Sequence, residues 1–214
     1  MRLPKGRCIS STLRTVSHRG RRQGRCVLSA CCAIALLILL MPMVSCGNSS
    51  TRSEPLQDSP TPGFQMESSA FKQGRAIPRQ FTCAGDDISP ALRWTAPPPG
   101  TRSFVLIVDD PDAPAGVWTH WVVYNLPALV REIPENVPKQ DELPGGGLQG
   151  LNSFGKVGYG GPCPPPGKAH RYFFHLYALD TMLSLKAGAG KQEVLDAAKG
   201  HVRARTELMG RFGR

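Results

Sequence analysis

The chain has 214 residues, of which 41% are hydrophobic, enough for one globular domain with a sizeable core plus a terminal extension. Its 20 prolines and 23 glycines favour short strands joined by turns over a helical bundle. The net charge of +10 is concentrated at the N-terminus, because residues 1–45 hold eight Lys/Arg and no acidic residue, which leaves 18 basic against 16 acidic residues elsewhere. The domain is therefore not predicted to bind nucleic acid.

Residues 1–45 have the order of an export signal, in which a basic region precedes the apolar run "VLSACCAIALLILLMPMVS". The sequence "MVSC" followed by Gly47 resembles a bacterial lipoprotein cleavage box, which predicts that Cys46 becomes the lipidated first residue. An uncleaved membrane anchor is the alternative, since 19 apolar or small residues can just span a bilayer. Residues 46–63 are rich in Ser, Thr and Pro and are predicted to form a flexible linker to a domain over residues 64–214. We therefore expect the domain at the cell envelope, on the periplasmic or extracellular face of a membrane.

The seven cysteines divide at this boundary. Four would be removed with the signal, Cys46 would carry lipid, and Cys83 and Cys163 remain in the domain. Two cysteines in an exported domain indicate one disulfide, with two buried free thiols as the alternative.

The first half of the domain is predicted to consist of strands and turns. "AIPRQFTCAG" indicates a short strand ending in a turn, and "ISPALRWTAPPPG" indicates an edge or irregular strand. "TRSFVLIVDD" is almost continuously apolar, which predicts a central strand, and "THWVVYNLP" is a second strand of the same kind.

The second half begins with "PGGGLQGLNSFGKVGYGGPCPPPGKAH", which is too rich in glycine and proline for regular structure and is typical of a functional or core-packed loop. "RYFFHLYALD" has apolar side chains on both faces, which predicts a strand covered on both sides. "KQEVLDAAKG" is predicted to be a helix ended by Gly200. "HVRARTEL" alternates with a period of two and is predicted to be a strand with one solvated face.

An acidic loop follows the central strand. Asp109, Asp110 and Asp112 lie there, and Pro111 and Pro114 restrict the backbone, so the loop is predicted to be stiff and its carboxylates aimed. Aspartates that merely cap backbone amides in a turn are the alternative reading.

Two histidines each stand at the entry to an apolar strand. His120 or His170 alone would more often be a core residue, but together with the acidic loop they indicate a site. A carboxylate can orient an imidazole, which then donates hydrogen bonds to an anion. We expect Asp110 to be the carboxylate that orients His120.

Several segments resemble one family in the same order along the chain. "FTCAGDDISPAL", "DPDAP", "HWVVYNLP", "GKVGYGGPCPPPGKAHRYFFHLYALD" and "GHVRARTELMGRFGR" are similar to the phosphatidylethanolamine-binding protein family, in its bacterial Raf-kinase-inhibitor-like branch. The resemblance covers roughly residues 64–214. It implies a mainly β fold of two packed antiparallel sheets with a few short helices, and a small pocket for phosphate-like anions or phospholipid head groups.

The resemblance also implies roles for individual residues. Asp110 and His120 would form the floor of the pocket, His170 and Tyr172 would donate hydrogen bonds, and Arg171 would give structural support by pairing with a carboxylate beneath the site. Cys83 and Cys163 both lie in matching segments, which supports a disulfide between them. The complete implied ligand-binding set is Asp110, Asp112, Ala113, Pro114, His120, Pro162, Pro164, His170 and Tyr172.

These expectations favour an exported, lipid-anchored binding protein over an enzyme, with no cofactor and with an anionic small molecule or phospholipid head group as ligand. One alternative is a metal-dependent hydrolase with Asp110, Asp112, His120 and His170 as ligands, although their spacing matches no local metal motif. The other is a protein-interaction or inhibitor module, for which the sequence identifies no partner surface.

Overall fold

The structure, a computed structural model, describes residues 59–214. The predicted signal or membrane anchor and the predicted lipidation at Cys46 lie outside these residues. Within residues 59–214, no helix has the length and apolar character needed to cross a bilayer. Thr61, at the end of the predicted linker, already donates a backbone hydrogen bond of 2.7 Å to Arg205.

Two antiparallel sheets form the domain, as predicted. The strands are β1 (Met66–Glu67), β2 (Leu92–Trp94), β3 (Ser103–Asp110), β4 (Trp118–Pro127), β5 (Glu132–Ile133), β6 (Leu148–Gln149), β7 (His170–Leu179) and β8 (Val202–Phe212). The larger sheet has the order β6-β4-β3-β7-β8 and the smaller has the order β1-β2-β5. One α-helix, α1 (Lys191–Ala198), and one 3-10 helix (Arg79–Phe81) complete the described elements.

The larger sheet is covered on both faces, which explains why its central strands are so apolar. Toward the smaller sheet, alternate residues of β3 such as Leu106 and Val108 join one hydrophobic core. The intervening residues, such as Val105 and Ile107, join a second core that includes Val194 of α1. The predictions that β3 is central and that β7 is covered on both sides are confirmed.

In the first part of the domain one predicted strand is absent, and a second is present but not at the edge that was one of its two predicted places. "AIPRQFTCAG" forms only an isolated bridge between Ala76 and Arg211 and no strand. The backbone turns locally from Pro78 onward, where Phe81 N–H donates to Pro78 O at 3.0 Å. The strand in "ISPALRWTAPPPG" is not at an edge. β2 is the middle strand of the smaller sheet, between β1 and β5.

The C-terminal predictions hold, with one change. α1 ends before Gly200, which has a φ of +81°. β8 is a strand, yet its polar face is partly covered, because Arg205 is only 9% exposed. Arg205 lies over the ring of Tyr177 on the neighbouring strand, which buries its side chain.

Candidate functional site

A cavity of about 330 Å³ opens where β3 ends and where β4 and β7 begin. The glycine- and proline-rich loop between β6 and β7 closes its remaining side. Six of the predicted ligand-binding residues line it, together with five others. The lining residues are Asp110, Ala113, Pro114, Ala115, Trp118, His120, Phe154, Cys163, Pro164, Pro165 and His170.

The alternation of β3 separates its two terminal aspartates. Asp109 lies on the α1 side, where it accepts hydrogen bonds from Thr119 Oγ1 at 2.9 Å and from Lys191 Nζ at 2.6 Å. Asp110 lies on the opposite side, toward the cavity. Asp109 therefore holds the helix and the strands together, and Asp110 belongs to the site.

Asp110 is the partner of His170. Its Oδ2 lies 2.8 Å from His170 Nδ1, and its Oδ1 accepts the backbone N–H of Asp112 at 2.8 Å. The Asp110 and His170 residues are 3% and 8% exposed. A carboxylate can only accept, so His170 Nδ1 carries the proton, and only Nε2 remains to contact a ligand.

His120 is oriented by the backbone rather than by Asp110. Its Nδ1 lies 2.7 Å from the carbonyl oxygen of Gly160, to which it must donate. The expectation that Asp110 orients His120 is therefore wrong, because Asp110 Oδ2 is engaged by His170. Burial lowers the pKa of His120, against the opposing effect of the Gly160 hydrogen bond. His120 is thus held as a neutral ring at neutral pH.

A β-bulge directs His120 into the cavity. Val108 pairs with Trp121, whereas the next residue, Asp109, pairs with Thr119, so His120 is the extra residue of β4. Simple alternation would place His120 on the α1 side with Val122. The bulge instead places its ring 5.2 Å from that of Tyr172, on the cavity side.

Asp112 and Arg171 form an ion pair beside the cavity and do not line it. Asp112 accepts from Arg171 Nε at 2.9 Å, from an Arg171 terminal nitrogen at 2.7 Å and from its backbone N–H at 2.9 Å. These hydrogen bonds lower the pKa of Asp112 well below its usual range. Arg171 does pair with a carboxylate, but its side chain is 44% exposed, so the pair lies at the surface and not beneath the site.

Tyr172 and Pro162 support the cavity from behind its lining. Tyr172 is fully buried against His120, and burial and then the charge of Asp110 raise its pKa. Its hydroxyl has no hydrogen-bond partner of normal geometry within residues 59–214. Pro162 accepts the backbone N–H of Cys83 at 3.1 Å, whereas Pro164 and Pro165 form the proline wall.

The predicted disulfide is present, between Cys83 and Cys163 with a Cα–Cα distance of 5.3 Å. It joins the segment after the 3-10 helix to the proline wall. Cys163 therefore lines the cavity as a bonded half-cystine and not as a free thiol.

Phe154 and Trp118 line the cavity but were absent from the predicted ligand-binding set. Their rings are 5.4 Å apart, and the Phe154 ring also lies 5.5 Å from that of His120. The Trp118 indole N–H is buried without a hydrogen-bond partner in the described part of the chain. Trp118 stands two residues before His120, and this spacing could have indicated that both line the cavity. No local sequence pattern marks Phe154 as a cavity residue.

The described residues form neither of two common kinds of hydrolase site. The cavity lining contains neither a serine nor a free cysteine. Among residues 59–214, no three His, Cys, Asp or Glu side chains are grouped so that they could hold a metal ion. The four residues considered as metal ligands do not converge, since Asp112 is bonded to Arg171 and Asp110 to His170.

Comparison with known proteins agrees with the fold. The family described as "Phosphatidylethanolamine-binding protein" matches residues 67–213. A UPF0098 protein of Methanothermobacter thermautotrophicus is 50% identical over 151 residues, covering 71% of this chain and 99% of that protein. A UPF0098 protein of Aquifex aeolicus is also 50% identical, over 153 residues, covering 71% of this chain and 89% of that protein.

Two solved structures are similar throughout the domain. A putative phosphatidylethanolamine-binding protein homologue from Chlamydia trachomatis has a TM-score of 0.66 at 42% identity, covering 72% of this chain and 99% of that one. E. coli YbcL, described as a new member of the mammalian family, has a TM-score of 0.67 at 34% identity, covering 71% of this chain and 99% of that one. The family is named for binding and not for catalysis, in agreement with the prediction that this chain is not an enzyme. The chain belongs to the phosphatidylethanolamine-binding protein family.

Proposed function

We propose that the protein is an exported, lipid-anchored binding protein whose cavity takes a phosphate-like anion or the head group of a phospholipid. The observation that carries this proposal is that His120 and His170 line the same cavity, each with its Nδ1 already hydrogen-bonded to the protein. Both Nε2 atoms are left for a ligand, and each donates a hydrogen bond to an anion once its ring has taken up a second proton. Two imidazoles held in this way suit an oxyanion, which accepts hydrogen bonds from several donors at once.

The walls of the cavity strengthen such contacts. Apart from Asp110 and the two histidines, the cavity is lined by alanines, prolines, two aromatic residues and the disulfide-bonded Cys163. Hydrogen bonds to a charged group are stronger where water is excluded. Trp118 adds a buried indole N–H that has no partner among the described residues and can be satisfied by an acceptor.

Calorimetric titration of the full-length protein tests the pocket, with inorganic phosphate and glycerophosphoethanolamine in separate experiments. Replacing either histidine removes one charge-assisted hydrogen bond, so His120→Ala and His170→Ala should each weaken binding by roughly tenfold or more. His201→Ala is the matched control, because His201 is exposed, pairs with Asp180 and lies outside the cavity lining. Unchanged affinity in both cavity variants would exclude the proposed site.

The two titrations also separate the two ligand sources. Equal affinity for both compounds indicates recognition of the phosphate alone. Tighter binding of glycerophosphoethanolamine indicates recognition of a phospholipid head group.

The proposed location is supported by residues 1–46, whose basic region, apolar run and Cys46 follow the order of a lipoprotein signal. A disulfide in the domain suits an oxidising compartment outside the cytoplasm. Metabolic labelling with radioactive palmitate should label the wild-type protein and leave Cys46→Ser unlabelled. Equal labelling of the two, or none of either, would contradict lipid anchoring at Cys46.

A further inference from the structure

A second cavity, of about 520 Å³, adjoins the site. Phe154 and Cys163 line both cavities and form their common wall. Gly160 lines the second cavity, and its carbonyl oxygen holds His120 in the first. The two cavities are therefore neighbours built on the same short segment of chain.

The second cavity has a different charge from the first. Lys139, Lys156 and Asp87 line it. Lys139 Nζ lies 2.6 Å from Asp87 Oδ2, so these two charges compensate each other. Lys156 is an exposed residue and forms no ion pair with a carboxylate within residues 59–214, which leaves one uncompensated positive charge among the residues that line the cavity.

One turn carries both the shared wall and this charge. The side-chain oxygen of Asn152 accepts the backbone N–H of Phe154 at 3.0 Å and that of Lys156 at 3.2 Å, and its amide donates to Gly158 O at 2.9 Å. Asn152 is only 7% exposed, so it fixes the turn from inside. The turn thereby places an aromatic ring at the edge of the first cavity and a cation in the second.

Phe154 lines both cavities, so a ligand that occupied both would contact it. Its side chain packs against the backbone of Gly160, where an added Cβ would approach the ring to 2.8 Å. Phe154 nevertheless remains 42% exposed. A short apolar segment of a ligand would cover this exposed ring surface.

We infer that the two cavities together bind a doubly anionic organic molecule, with its phosphate or phosphonate at His120 and His170 and a second acidic group at Lys156. This inference rests on the proposed anion site in the first cavity. An apolar spacer between the acidic groups would lie along Phe154 and Cys163.

Titration of the full-length protein with three kinds of phosphonate tests this inference. Methylphosphonate occupies only the first cavity, whereas ω-phosphonocarboxylates with increasing numbers of methylenes can reach the second. Alkylphosphonates of matched length lack the second charge. At the chain length that fits, the phosphonocarboxylate should bind about threefold or more tighter than the matched alkylphosphonate.

Lys156→Ala should remove this gain and leave the affinity for methylphosphonate unchanged. Lys199→Ala is the control, because Lys199 is an exposed lysine that lines neither cavity. If methylphosphonate binds and no phosphonocarboxylate gains over its matched alkylphosphonate, or if Lys156→Ala keeps the gain, the second cavity is not part of the ligand site. If no phosphonate binds at all, the proposed function fails and this inference fails with it.

Discussion

The two histidines of the site are held in different ways. His120 donates to a backbone carbonyl, whereas His170 donates to a carboxylate. The pKa of His120 is lowered because its ring is buried, with only partial opposition from the Gly160 carbonyl and the charge of Asp110. An anion bound at Nε2 favours the protonated ring, so binding and proton uptake are linked.

This linkage predicts pH-dependent binding. Sulfate is a suitable probe because its charge is constant above pH 4. His120 is neutral at pH 7 in the ligand-free protein, so its ring must take up a proton from solution when sulfate binds. The affinity for sulfate should therefore rise as pH falls from 7 toward 5, by at most about tenfold per pH unit for one proton. Calorimetry at pH 7, 6 and 5 measures this slope.

His120→Gln provides the control for the pH slope, since its amide can donate a hydrogen bond but does not titrate in this range. The variant should bind sulfate with a shallower slope than the wild type. The same slope in both proteins would show that His120 takes up no proton on binding.

Strand β7 carries one histidine to each face of the larger sheet. His170 faces the cavity, and His175, five residues later, lies on the opposite face beside Arg205 and Glu207. A terminal nitrogen of Arg205 donates to His175 Nδ1 at 2.9 Å, which requires that Nδ1 be unprotonated. Burial and then the Arg205 charge lower the pKa of His175 to about 4. Glu207, 3.4 Å away, therefore faces a neutral ring.

The lowered pKa of His175 predicts a loss of stability in acid. The unfolded chain takes up the proton near pH 6.5 and the folded chain only near pH 4, so the free energy of unfolding should fall between these values, on the order of 3 kcal/mol for this group. Urea unfolding at pH 7, 5.5 and 4.5 measures the fall. His175→Gln should show a smaller fall than the wild type.

His201→Gln serves as the reference for this comparison, because His201 is 46% exposed and pairs with Asp180 on the surface. Carboxylates that titrate over the same range contribute equally to all three proteins. If His175→Gln loses as much stability as the wild type, the buried imidazole is not responsible.

At the scale of the whole molecule, the sequence predicted the larger sheet better than the site. The strands β3, β4 and β7 are long and mostly apolar, and burial on both faces is the physical cause of that pattern. The resemblance to the family brought Asp110, His120 and His170 together, although they lie up to 60 residues apart.

What could not be predicted depends on irregular backbone. A bulge turns His120 to the cavity face, and one extra residue in a strand leaves no mark in an apolar run. Phe154 reaches the site on a turn held by Asn152 inside a glycine-rich loop that has no periodicity. Asp110 pairs with His170 and not with His120 because His120 Nδ1 already donates to the backbone carbonyl of Gly160, a contact across 40 residues that no local pattern marks.

The central claim, that His120 and His170 together bind an anion, is tested most directly by following the imidazole signals in NMR spectra of the full-length protein as inorganic phosphate is added. The Nε2 and Cε1–H signals of His120 and His170 should shift together and saturate at the same phosphate concentration. His175 and His201, which lie outside the cavity lining, should not follow that curve. Signals of His120 and His170 that stay in place, or four histidines that shift alike, would contradict the claim.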